Sequence, residues 1–170
     1  EPIEVGLVLH FARTRGGGIS AGLPSSHWAG TNADPQPNRD PRHGRNQQTY
    51  SEDPFLCSRL AEAIVQGAQG SDIAAPDKVI AGLCHYPGQT QGLNGINRGS
   101  MDLSERTIRE IFLPPWEAGV KKAGALGVMA THPSINGYPN HGSEKYLTTI
   151  LRDELGFKGN VLSEGSNTGT

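Results

Sequence analysis

Asn160-Val161-Leu162-Ser163-Glu164-Gly165, preceded by Leu155-Gly156-Phe157-Lys158-Gly159, reads as a buried strand that brings one carboxylate to its carboxyl end and then turns on glycine. In parallel α/β folds catalytic groups sit at the carboxyl ends of strands. Glu164 is therefore the leading candidate for chemistry. Upstream, Ser143 caps a helix whose inward face is Leu147, Ile150, Leu151 and Leu155, closed by Gly156. Before it, Ala125-Leu126-Gly127-Val128-Met129-Ala130 is a second apolar strand, and Lys78-Val79-Ile80-Ala81-Gly82-Leu83-Cys84 a third. Asp102 and Glu105 offer a capping pair for a helix carrying Ile108, Ile111 and Phe112, which is interrupted at Pro114-Pro115 and resumes through Trp116 and Val120. Ser51 and Asp53-Pro54 start another helix, with Leu56, Leu60, Ile64 and Ala68 on one face and an end near Gly67 or Gly70.

Ile3-Glu4-Val5-Gly6-Leu7-Val8-Leu9 has the content of a fourth strand, and the stretch from Arg13 to Tyr50 reads as loop, rich in glycine and proline. Strands apolar on both faces that alternate with amphipathic helices indicate a parallel sheet covered by helices. The predicted fold class is α/β. About four strands are too few to close a (β/α)8 barrel, which needs roughly 200 residues or more, so the expectation is a partial TIM barrel.

The 170 residues carry 35% hydrophobic and 19% charged side chains with a net charge of -2, a balance that favours neither nucleic acid nor an anionic membrane. No apolar run approaches the roughly 18 residues of a membrane span. The two cysteines, Cys57 and Cys84, have no metal-ligand spacing, and no pair of the six histidines has the i, i+4 spacing of a helical zinc motif. Neither a metal nor a cofactor is expected.

Four motifs carry a resemblance. Arg39-Asp40-Pro41-Arg42-His43-Gly44-Arg45-Asn46 runs into Tyr50-Ser51-Glu52-Asp53-Pro54, and His85-Tyr86-Pro87-Gly88 follows a strand. Asn97-Arg98-Gly99 comes with Asp102-Leu103-Ser104-Glu105-Arg106 and Leu113-Pro114-Pro115-Trp116-Glu117, and Leu155-Gly156-Phe157-Lys158-Gly159 stands before the last strand. In this order, over residues 39 to 164, they resemble the N-terminal barrel domain of glycoside hydrolase family 3, the β-glucosidase and β-xylosidase type. Residues 1 to 38 match poorly, and residues 39 to 170 are expected to be part of that barrel domain.

The resemblance implies a retaining glycosidase acting on oligosaccharides or aryl β-glycosides through a covalent glycosyl-enzyme, with Glu164 as nucleophile and the general acid supplied from beyond these residues. It implies that Arg45, His85 and Arg98 line the sugar subsite, and the alternation of strands and helices implies that they converge with Glu164 and His132 on one cleft; Met129, at a strand end, is placed either to touch the substrate or to pack in the core. The remaining barrel and a C-terminal domain of a longer parent chain would be its partners, and a secreted or periplasmic location is favoured. Three positions depart from the family pattern. Glu164 replaces the Asp of a Ser-Asp-Trp triplet, Cys84 stands where a sugar-binding lysine is usual, and His132 stands where a tyrosine commonly lies against the nucleophile. A non-catalytic carbohydrate-binding member is therefore the main alternative. A β-N-acetylglucosaminidase of the same family is another, but the His-Asp pair of that branch is absent from Gln89-Thr90-Gln91-Gly92-Leu93-Asn94. Asp40 and Asp53, beside prolines, read as turn and cap residues, and Trp116 as packing.

Overall fold

A computed structural model describes residues 31–163, with side chains from Asp34 onward. The strand expected at residues 3 to 9 and the carboxylate of Glu164 lie outside the described residues. Four strands form one sheet in the order β1 (Thr31–Ala33), β2 (Ala81–Tyr86), β3 (Gly127–Ala130), β6 (Asn160–Ser163), and every neighbouring pair is parallel. Strand order follows chain order, as in consecutive units of a barrel wall. The expected strands near 78–84, 125–130 and 160–164 are all present. The first begins later than its apolar run implies, because Val79 turns back to bond the end of the preceding helix, its N–H donating to Ala68 O at 3.0 Å.

Among the described residues three longer helical segments pack into one core with the sheet. Helix α1 (Pro54–Gln69) starts as expected, with Asp53 as its cap accepting from Phe55 N and proline in the first turn. Its buried stripe is Cys57, Ala61, Val65 and Ala68, whereas Leu56 is exposed. The expected face was one residue out at Leu56, Leu60 and Ile64 and coincides at Ala68, because the small side chains let the helix lie close to the sheet while the larger ones stay at its flank. Residues 105–122 form helix α2, built from the turns Glu105–Thr107, Ile108–Phe112, Pro114–Trp116 and Glu117–Lys122. Its cap is Ser104, whose Oγ accepts from Thr107 N, so the expected Asp102–Glu105 capping pair does not form. The expected interruption at the prolines is a single residue, Leu113, between the turn that ends at Phe112 and the one that starts at Pro114. Leu113 O takes the N–H groups of both Trp116 and Glu117, which begin a new turn with proline where no donor is needed. Helix α3 (Lys145–Glu154) has Ser143 Oγ accepting from Tyr146 N, and Gly156 just beyond it at φ +71.

The core joins helices to sheet. Trp116 is fully buried and meets Tyr86 edge to face at 5.0 Å, and Tyr86 Oη donates to Tyr146 O at 3.0 Å, so one strand residue engages both α2 and α3. Gly119 on α2 has no room for a side chain, since a β-carbon there would stand 2.5 Å from a Leu83 methyl. Phe157 is buried under the Arg152 guanidinium, which donates to the carbonyls of Phe157 and Gly159. A β-carbon on Gly159 would fall 2.1 Å from Leu126 O. The Leu155-to-Gly159 motif thus ends one helix and presses the start of β6 against the backbone before β3. At this amino-terminal side of the sheet Gln69 Oε1 accepts from Ala81 N and Leu126 N, which holds the starts of β2 and β3 together.

Candidate active site

The carboxyl ends of the strands carry a buried polar cluster. β2 is irregular there: its register to β3 slips between Cys84 and Tyr86, at a Cys84–His85 peptide that is cis. Strict alternation would put Leu83 and His85 on one face and Cys84 and Tyr86 on the other. Instead Leu83 and Tyr86 both face the helices, the first against Gly119 and the second against Trp116. Residues 84 and 85 are the pair displaced by the irregularity, a common device for re-aiming a side chain at a strand end. His85 Nδ1 lies 3.2 Å from Oδ2 of Asp34, the residue that follows β1, and both side chains are buried.

Asp34 is itself held. Its Oδ1 accepts from the backbone N–H and the Nε2 of Gln36 at 3.3 and 3.0 Å. Gln36 Oε1 accepts from Gln89 N at 2.8 Å, and Gln89 Oε1 accepts from Thr131 Oγ1 at 3.0 Å. Thr131 N in turn donates to Tyr86 O at 2.8 Å, and so does Asn140 Nδ2. The loops after β1, β2 and β3 are thereby stitched into one rim. Burying so many polar groups is tolerated only when they satisfy one another.

Arg45 reaches the same rim from the turn after Pro41–His43. Its Nε donates to Gln48 Oε1 at 2.6 Å and its Nη1 to Asn97 Oδ1 at 3.5 Å, which ties it to the residue that precedes Arg98. Burial, together with the Arg45 cation, keeps the His43 imidazole below its usual pKa. Arg98 is exposed, at φ +66. The loop that bears it is fastened by the hairpin of β4 (Ser134–Ile135) and β5 (Tyr138–Pro139): Met101 N donates to Ser134 O, and the Asn136 side chain bonds both N and O of Leu103. Cys84 is buried and is the register partner of the half-buried Met129. His132, just past Thr131, meets His141 edge to face at 5.8 Å. Asp40 caps its turn by accepting from Arg42 N and pairs with the Arg42 side chain, which holds its carboxyl down to about 2.

The structure thus puts Cys84, His85, Met129 and His132 at or just beyond the carboxyl ends of β2 and β3, and Arg45 and Arg98 on loops at one rim. Glu164, next after the final residue of β6, is outside the described residues. Sequence reasoning missed Asp34, Gln36, Gln89, Thr131 and His141. The one local signal was the run Asp34-Pro35-Gln36-Pro37, which reads equally well as a turn.

The sequence model of the glycosyl hydrolase family 3 N-terminal domain matches residues 36–169. A β-xylosidase of Formosa agariphila is 45% identical over 132 residues, covering 76% of this chain and 18% of the relative. A β-glucosidase of Rhizobium radiobacter is 41% identical over 123 residues, covering 72% of this chain and 14% of the relative. A solved β-glucosidase from Erythrobacter marinus superposes with a TM-score of 0.79 at 30% identity over 95% of this chain and 21% of its own. The chain therefore spans less than a fifth of the length of these two curated relatives, and its sheet corresponds to part of a TIM-barrel wall.

Proposed function

The chain belongs to glycoside hydrolase family 3, and we propose that it supplies the nucleophile and the sugar-binding rim of a retaining β-glycosidase of the β-glucosidase or β-xylosidase type. The observation that carries this reading is the buried rim itself: His85, with Arg45 and Arg98 on adjoining loops, at the carboxyl ends of parallel strands, one of which continues directly into Glu164. In the proposed reaction the Glu164 carboxylate attacks the anomeric carbon of a terminal β-glycoside. The bond from that carbon to the leaving oxygen breaks, and a general acid from outside these residues protonates the departing alcohol. Water then attacks the glycosyl-enzyme, gives its proton to the same group as base, and releases the sugar with retained configuration. Residues 39 to 170 are read as part of a barrel domain completed by further chain of the parent, so residues 1 to 170 alone should be nearly inactive.

A 2-fluoro aryl glycoside, incubated with the full-length parent and followed by peptide mass analysis, tests the assignment. The expected label is on Glu164, and Glu164→Gln should lower kcat by on the order of 10³ or more through loss of the attacking group. Label on another carboxylate, or turnover by the Gln variant at the parent rate, makes Glu164 structural. The second reading, a non-catalytic sugar-binding member, is favoured by Cys84 and His132 in the places of a lysine and a tyrosine. It predicts no label at all, with sugar binding retained.

A further inference from the structure

We propose that the cleft formed by the loop between β1 and α1 is a second carbohydrate site, distinct in its residues from the sugar subsite, that takes one pyranose unit between Arg39 and Glu52. The ligand class is read from the lining. Only the role of the site as an accessory to catalysis rests on the glycosidase reading.

One loop builds the cleft. Thr49 bridges Asp34 in parallel, and Asn38 N donates to Ser51 O at 2.9 Å, so residues 49–51 run beside 34–38 and the chain between them closes on itself. Compact surface loops whose ends meet in this way are frequently functional. The cleft has a volume of about 370 Å³, within the range of small-molecule sites. Arg45, His85 and Arg98 are not among its described lining residues. Asn46, which is, directly follows Arg45, so the backbone of one turn joins the cleft to the sugar subsite.

The lining holds hydrogen-bonding capacity that the protein does not use. Pro41 O can only accept, so the Asn46 atom that meets it at 3.4 Å is Nδ2. Asn46 Oδ1 then faces Asn38, which donates to it through its own Nδ2. Asn38 Oδ1 is left as a buried acceptor for which the protein supplies no donor. Arg39 and Glu52, both exposed on the same cleft, have no ion-pair partner among the described residues. The wall therefore offers a planar group with donors only and a planar group with acceptors only, beside amides and hydroxyls. A phosphate would meet the Glu52 carboxylate, a metal ion would meet one carboxylate and the Arg39 cation, and an apolar ligand would leave the polar wall unpaired. Adjacent sugar hydroxyls each donate and accept, so they suit both planar groups at once, while Pro41 and the half-buried Tyr50 supply contact for the carbon skeleton of the ring.

The test uses the full-length parent whose nucleophile has been labelled by a 2-fluoro aryl β-glucoside, so that the sugar subsite is filled. Glucose, xylose, cellobiose and xylobiose are then titrated by saturation-transfer NMR. The labelled protein should still bind sugar, and Arg39→Ala and Glu52→Gln should each weaken that binding about 5- to 10-fold, the scale of one or two lost hydrogen bonds. The rate of labelling and the thermal unfolding midpoint should stay at wild-type values in both variants, since neither residue belongs to the sugar subsite. Monosaccharides that bind as well as the disaccharides assign the cleft to released sugar, and binding of the disaccharides alone assigns it to an outer unit of the substrate chain. Both results support the site. No sugar binding by the labelled protein, or binding that either variant leaves unchanged, overturns it. Should a variant fail to fold, Arg39→Lys or Glu52→Asp replaces it, keeping the charge while giving up the planar fork or the reach, with the same loss expected. A wild type that takes no label defeats the glycosidase reading alone, and the same titrations on the unlabelled protein and the two variants then decide the cleft.

Discussion

At the strand ends, Asp34, Gln36, His85, Gln89 and Thr131 are each less than a tenth exposed, and their bonds join three loops far apart in sequence. Across the outer helices, Arg109 bonds Glu105 and Glu154, and Lys145 bonds Glu105, joining α2 to α3 over a similar sequence distance, but the side chains are 41% to 53% exposed. The two networks have comparable connectivity and opposite surroundings. Water competes for every group of the outer one, so breaking a bond there exchanges one partner for another. At the rim a lost partner is not replaced. The rim is therefore a costly arrangement to bury unless its geometry is used, and it occupies the side of the sheet where barrel enzymes place their chemistry.

The largest expected effect follows from removing the rim's central amide. Gln36→Leu leaves Gln89 N–H without its partner inside the protein, at about 1 to 3 kcal/mol, and takes from Asp34 Oδ1 one of its two donors, the backbone N–H of residue 36 remaining, at about 1 kcal/mol more, so a destabilisation of about 2 to 4 kcal/mol is expected. Thermal unfolding of the full-length protein, followed through this domain, measures it. If Gln36→Leu shifts the midpoint no more than Arg109→Ala does, the distinction between the two networks is wrong.

A smaller effect concerns pH at the rim. Burial and the Arg45 cation lower the His43 pKa from its unfolded value of 6.5. With the folded pKa below the unfolded one, the unfolded chain binds more protons in the window between them, so stability falls as pH drops from about 6.5. Above that pH the contribution of this group is constant. The difference in unfolding midpoint between pH 7.5 and pH 5 should be larger in the wild type than in His43→Asn, other carboxylates being common to both. An unchanged difference would mean that His43 charges in the folded protein without cost.

The scaffold was legible because its signals are local. Asp53-Pro54, Ser143 and Gly156 mark helix ends by their own chemistry, and Leu83, Val128 and Leu162 sit in apolar runs that only a covered parallel strand accommodates. The motifs singled out Arg45, His85 and Arg98, of which His85 lies at the end of β2 and the other two on the segments that follow β1 and β2. Asp34 was not legible. Its strand, Thr31-Asn32-Ala33, is three residues long, too short for any period, and exists because β2 pairs with it. The α1 face was misread for a related reason, since Leu56 outranks Cys57 in hydrophobicity, but only the tertiary approach of α1 to α2 and the sheet decides which of them is covered.

The smallest effect belongs to the outer lattice, and salt separates it from the rim. Bonds from Lys145 and Arg109 hold Glu105 below the usual carboxylate range, and the bond from Arg109 does the same for Glu154. A depressed folded pKa means that their contribution is present above the unfolded value near 4.5 and is lost as pH falls through the folded one. Because these side chains are exposed, solvent and ions screen most of that contribution. Glu154→Gln should therefore lower the unfolding midpoint at pH 7 by less than Gln36→Leu. The shift should shrink toward zero in 1 M salt, where screening acts over about 3 Å. The Gln36→Leu shift should survive the same salt, since neither of the groups it affects is reached by mobile ions. A Glu154→Gln shift that persists in 1 M salt would place the outer lattice, like the rim, beyond the reach of solvent, and the contrast between the two networks would fail.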